Sequence, residues 1–217
     1  MKSGTISYLA PIKRIEMEPI ELSWRVSSID KIEIKIEKEF LFITFFVNNV
    51  FCEEEALSLT RDAVELIASK ISFEWDCQIG DIWCNGYSLP KKNENRDVSS
   101  SSLLLSWNIV GATVKPGIEK IQKLKAFLEE PFKDSDRYLS LFRFSLNQTD
   151  SIARFLFLYN LMLLLNRDKQ ENVDAQILII NNKTPVTHSP IGRGRGKMET
   201  IYTRLRNEVS HCRSNVD

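Results

Sequence analysis

Ile32, Ile34 and Ile36 alternate with charged neighbours, and a period of two predicts a half-buried β-strand. The denser β-branched and aromatic run over 40–47 follows at once, so the two read as a hairpin or part of a meander. Ile20, Leu22, Trp24 and Val26 alternate in the same manner, while the remainder of residues 1–30 shows no single period. Between 53 and 69 the spacing changes: Ala56, Leu57, Leu59, Ala63, Val64, Leu66 and Ile67 recur at helical intervals. That pattern predicts an amphipathic helix lying on the sheet.

An aromatic segment over 73–87 carries Trp75 and Trp83, and the polar stretch 89–102, with Pro90 near its start, reads as a surface loop. Residues 103–110 read as a further strand. Pro116 opens a short helix reaching to 128, since proline is tolerated in a first turn, and Pro131 marks the break after it. A domain boundary near 131 follows.

Beyond 136 the β pattern fades. Leu139, Phe142, Phe144 and Leu146 predict one helix, and Asp150 caps a second holding Ile152, Ala153, Phe155, Leu156, Tyr159, Leu163 and Leu164. Residues 170–181 fit a third helix, although 177–180 fits a short strand equally well. Pro185, Pro190 and the string G-R-G-R-G make 181–197 a loop, and a final helix is expected from about Met198. The fold class is therefore α+β: an N-terminal mixed sheet and helix domain over 1–131, then an all-helical domain over 132–217.

Composition agrees with a soluble globular chain. Of the 217 residues, 43% are hydrophobic and 27% charged, with 29 basic side chains against 29 acidic. The longest apolar run, 155–165, is interrupted by Asn160 and falls short of the about 20 residues that span a bilayer. The N-terminus lacks a signal peptide's apolar stretch, so the expected compartment is the cytoplasm. Cys52, Cys77, Cys84 and Cys212 contain no C-x-x-C pair, and in a reducing compartment they read as thiols rather than zinc ligands or disulfides.

The neutral total conceals a separation of charge. From 183 to 213 stand seven basic residues (Lys183, Arg193, Arg195, Lys197, Arg204, Arg206 and Arg213) against Glu199 and Glu208, a net of +5. Arg193, Arg195 and Lys197 are spaced by glycines, and a flexible cationic loop of this kind can follow a phosphate chain. Together with Arg204 they are the candidate RNA-binding residues. His188 lies in the same stretch, between prolines, and reads as a solvated loop histidine.

The string Y-T-R-L-R-N-E-V-S-H, from Tyr202 to His211, places Arg206 and His211 with four residues between them and the polar Asn207 directly after the arginine. It resembles the R-x(4–6)-H motif of the HEPN superfamily, helical domains that are often metal-independent ribonucleases in toxins, CRISPR effectors and phage-defence proteins. The wider tail G-R-G-K-M-E-T-I-Y-T-R-L-R-N-E-V-S-H resembles more particularly the HEPN-like bacterial proteins named for methylamine utilisation, the MauJ group. The resemblance does not extend to the N-terminal domain, which is left as a sensor or targeting module open to a regulatory protein or ligand. HEPN domains usually continue past the motif histidine, so the resemblance implies that 132–217 is shortened at its C-terminus. Cys212 and Arg213 stand where nucleotidyltransferase-regulated toxins carry a modified tyrosine, and that regulation is not expected.

The motif also makes chemical sense by itself. On a helix Asn207 and His211 stack on one face, with Arg206 turned about 100° from Asn207. Arginine presents a planar fork of donors to phosphate oxygens; histidine moves a proton near neutral pH; asparagine orients either one. Such a set suits attack by a ribose 2′-hydroxyl on its adjacent phosphate, with no metal or other cofactor required. One motif supplies one proton-transfer group, and HEPN nucleases commonly pair two motifs across a twofold interface, so a homodimer is expected. The competing expectation is a non-enzymatic HEPN-like module that dimerises and binds nucleic acid. A nucleotide-hydrolysing Walker loop is not met by G-R-G-R-G-K, and Cys212 beside His211 points about 100° away on a helix, which disfavours a Cys-His dyad.

Overall fold

The computed structural model describes residues 2–89, 114–189 and 196–211, with the side chain of His211 outside the description. It is an α+β structure in two compact units, Met1–Asn147 and Gln148–Asp217.

In the first unit, β1 (Lys2–Pro11), β2 (Met17–Leu22), β3 (Ile29–Glu37), β4 (Phe40–Val50) and β5 (Trp83–Ser88) form an antiparallel sheet in the order β2-β3-β4-β1-β5. Register puts Ile6, Tyr8 and Ala10 opposite Phe45, Ile43 and Leu41, and these in turn opposite Ile32, Ile34 and Ile36. All of these side chains are buried on one face, and each isoleucine so covered contributes about 1.5–3 kcal/mol. Helix α1 (Glu53–Trp75) lies against that face with Ala56, Thr60, Ala63, Val64, Ile67 and Ile71 inward. Thr60 meets the Tyr8 hydroxyl at 2.7 Å, which ties helix to sheet.

Two further helices pack on α1. Helix α2 (Ile118–Glu129) inserts Leu124 and Leu128, and the buried Lys70 of α1 donates to the carbonyls of Phe127 at 2.9 Å and Glu130 at 3.3 Å. A cation thereby satisfies the carbonyls that every helix C-terminus leaves unpaired. Burial lowers the Lys70 pKa, opposed by the nearby Asp136 and Glu130 carboxylates. Helix α3 (Arg137–Leu146) pairs Arg143 with Glu65 and sets Phe142 edge-on to Phe73 at 5.4 Å.

These contacts explain where the units divide. Pro131 ends α2, but α3 then returns to α1, so the division falls after Asn147 instead of near 131. Strand β1 was hidden by Gly4 and by the apolar Leu9 among its outward positions, and β2 begins earlier than the alternation at 20–26 suggested, leaving Trp24 and Val26 beyond it. β5 is a strand within the aromatic segment. Helix α1 runs on past 69 to Trp75. Of the loop expected over 89–102 all but Leu89 lies outside the described residues, as does the strand expected over 103–110.

The second unit is mostly helical. Asp150 accepts from the Ala153 amide at 2.7 Å and caps α4 (Ser151–Leu165). Residues 177–180, open to either reading, complete helix α5 (Gln170–Ile180). Between it and the last helix stands a small hairpin, β6 (Val186–His188) and β7 (Met198–Thr200), so the unit is not all-helical. The Ser189 amide continues the ladder to the Lys197 carbonyl at 2.9 Å. Helix α6 (Ile201–His211) consequently starts three residues later than expected at Met198, because Met198–Thr200 pairs as a strand. No helix among the described residues is long and apolar enough to cross a membrane.

Candidate functional site on the last helix

Helix α6 buries a polar stripe. Thr200, Thr203 and Asn207, spaced to share one face, are all inside, whereas Ile201, Tyr202 and Leu205 are exposed. His211, four residues after Asn207, is the last described residue of the helix. An amphipathic helix ordinarily does the reverse, so the interior of this unit is held by hydrogen bonds where packing would be expected.

Those bonds converge on α5. Asp174 Oδ1 accepts from the Thr200 amide at 3.0 Å, the Thr200 hydroxyl at 2.6 Å and the Thr203 hydroxyl at 2.6 Å. Thr200 also caps α6, its Oγ1 accepting from the Thr203 amide at 3.3 Å, and the Asp174 carboxylate sits at the positive end of the helix dipole. Because Thr203 gives its single proton to Asp174, the Tyr159 hydroxyl at 2.6 Å must donate to Thr203. Burial raises the Tyr159 pKa; the Thr203 bond opposes this, the Asp174 and Glu199 carboxylates add to it, and Arg206 lowers it.

One turn further along, Asn207 is only 4% exposed and has three partners. Its Oδ1 accepts from Arg206 Nη1 at 3.1 Å and from Gln170 Nε2 at 3.0 Å, and its Nδ2 donates to Glu199 Oε2 at 3.4 Å. Arg206 is partly exposed, and its Nε is buried with no hydrogen-bond partner among the described residues. Among the described residues Arg206 also forms no ion pair.

The remaining candidates are distributed differently. Arg204 reaches over the hairpin, its Nε donating to Glu208 at 2.7 Å and its Nη1 to Thr187 at 3.2 Å, and the Glu208 bond raises its pKa. Lys197 is exposed at the foot of β7. Arg193 and Arg195 lie outside the described residues, on the chain joining β6 to β7. His188 is exposed on β6. The structure thus joins Arg206 to Asn207 directly, on the helix that ends at His211, and holds Arg204 apart on the hairpin. Among the described residues no group of three histidine, cysteine or carboxylate side chains is arranged to hold a metal.

Comparison with protein-family models, with curated proteins and with solved structures gives no match. The site therefore has to be argued from its own chemistry.

Sequence reasoning overlooked Asp174, Tyr159, Gln170, Thr200 and Thr203, and counted Glu199 only as a charge. A usable pattern was present: positions 200, 203, 207 and 211 carry polar residues at helical spacing. Asp174 stands one turn before Ile177 and Leu178 on α5.

Proposed function

We propose that the C-terminal unit is a metal-independent endoribonuclease of HEPN type, acting in the cytoplasm on RNA and working as a homodimer. The observation that carries this reading is the state of Arg206: held by Asn207, without a carboxylate partner among the described residues, on the same helix as His211. The R-x4-H resemblance supplies the class, with phage defence or toxin action as its setting.

In this reading the 2′-oxygen of a ribose forms a bond to the neighbouring phosphorus and the bond from phosphorus to the 5′-oxygen breaks. The products are a 2′,3′-cyclic phosphate and a 5′-hydroxyl. One His211 takes the proton from the attacking hydroxyl, and the second, from the other copy, gives one to the leaving oxygen. Arg206 faces the charge that builds on the non-bridging oxygens, where a fixed guanidinium is worth most. Asn207, being buried, acts through Arg206 as a positioning residue. Arg193, Arg195, Lys197 and Arg204 would draw in the phosphate chain.

A second reading, a non-enzymatic dimerisation and nucleic-acid-binding module, is favoured by the apolar edge of α6 at Ile201, Tyr202 and Leu205, which fits a partner surface with or without catalysis. End analysis separates the two. Incubation of mixed RNA in EDTA should yield 5′-hydroxyl and cyclic phosphate ends under the first reading and intact RNA under the second.

A further inference from the structure

We infer that Glu199 is a positioning residue for Arg206: a buried carboxylate that sets the guanidinium in place through the Asn207 amide without neutralising it. The inference rests on the nuclease reading above for its catalytic consequence, and on the geometry of β7 and α6 for the rest.

Glu199 stands in the middle of β7, opposite Thr187, and is 6% exposed. A buried carboxylate carries a desolvation penalty of several kcal/mol unless it is well partnered. Here Oε2 has one long bond from Asn207, Oε1 has no partner among the described residues, and no cation among them pairs with it directly. As a stabilising group it is a poor choice, since glutamine would fill the same volume at lower desolvation cost.

Its negative charge does have a directional effect. A primary amide can turn either end toward a neighbour, but a carboxylate only accepts. Glu199 therefore holds the Nδ2 end of Asn207, which leaves Oδ1 facing two donors, Arg206 Nη1 and Gln170 Nε2. The reversed amide would oppose donor to donor at Arg206 and acceptor to acceptor at Glu199. Carboxylate, amide and guanidinium form a chain polarised in one sense, each bond strengthening the next.

The interposed amide also explains how Arg206 is held without losing its function. A carboxylate in direct contact would engage the guanidinium fork bidentately, in the geometry a phosphate needs. At one amide's remove, Glu199 supplies order while itself engaging none of the guanidinium N–H groups.

The test uses the full chain with Glu199→Gln and, as a second variant, Asn207→Asp. Three quantities are read: RNA cleavage, thermal stability, and solvent exchange of the Arg206 Nε–H by 15N NMR, assigned by its loss in Arg206→Ala. Glu199→Gln should fold with stability unchanged or raised, lower kcat about 100-fold at nearly constant KM, and speed Nε–H exchange about tenfold, because a guanidinium less firmly held at Nη1 lets water reach its buried, unpartnered Nε–H. Asn207→Asp places a carboxylate directly on Arg206 and should abolish cleavage without faster exchange. A purely structural Glu199 predicts the opposite for the isosteric glutamine: full kcat and an unchanged Arg206 signal. If wild type itself does not cleave RNA, the nuclease reading fails, and the Nε–H readout still decides this inference. An Arg206 signal indifferent to Glu199→Gln overturns it whatever cleavage shows.

Discussion

At Arg206 a guanidinium able to donate five N–H bonds gives one to a described side chain, while at Cys77 a thiol is closed off altogether. Cys77 is buried, and burial pushes its pKa from the ordinary 9.0 up to about 12. The thiolate is the reactive form, so alkylation of native protein at pH 8, read by peptide mapping, should label the exposed Cys52 and Cys84 and spare Cys77 until the chain is denatured. The same burial bears on stability. An acid whose pKa rises on folding contributes stability that is whole below its unfolded value and is lost as pH rises through the folded one. The Cys77 contribution should therefore fade between pH 9 and about 12, and Cys77→Ala should flatten that part of an alkaline unfolding profile. Early, equal labelling of Cys77 would contradict the packing of α1 against its following turn.

At the scale of elements, α6 is fixed by Asp174 more than by packing. Asp174→Ala leaves the Thr200 amide and two hydroxyls without their acceptor, and should destabilise the second unit by about 2–3 kcal/mol in chemical denaturation. A loss below the error of the measurement would mean that water replaces the carboxylate. The hairpin gives a second prediction. Changing Arg193, Arg195 and Lys197 to alanine should weaken single-stranded RNA binding and reduce its salt dependence by about 0.7 per lost phosphate contact. An unchanged slope would make these residues a solvated run.

The legibility of the sequence follows the same division. Strand β3 and helices α1 and α4 could be read because one apolar period dominates each: isoleucine at every second place, a helical stripe, and a near-continuous apolar run behind the Asp150 cap. β1 was not, since Gly4 and the apolar Leu9 on the outer face blur the alternation of Ile6, Tyr8 and Ala10, and pairing with β4 and β5 gives it its place in the sheet. α3 was read as a helix but assigned to the wrong neighbour, because nothing local announces that Phe142 will meet Phe73 or Arg143 meet Glu65. Arg206 and Asn207 were singled out through the resemblance of the string from Tyr202 to His211 to the R-x(4–6)-H motif. Glu199 and Asp174 were not, since their importance comes from tertiary placement on β7 and α5.

For the whole molecule, the inverted character of α6 decides the account. Its polar side faces in and its apolar side, with Ile201, Tyr202 and Leu205, faces out; Ile179 and Ile180 at the end of α5 are also exposed. Phe142 is engaged with Phe73 in the first unit. The exposed apolar edge of α6 is where the proposed dimer would form, and Leu205→Asp should then convert it to monomer in sedimentation while leaving Arg206 and Asn207 bonded. A wild-type monomer at micromolar concentration would remove the composite site. The most direct test of the central claim is cleavage of single-stranded RNA in EDTA by wild type, His211→Ala, Arg206→Ala and Arg206→Lys. The account predicts cleavage by wild type, none by the two alanine variants at unchanged melting temperature, and little recovery with lysine, whose ammonium lacks the guanidinium fork. Intact RNA with wild type, or undiminished cleavage by His211→Ala, would contradict it.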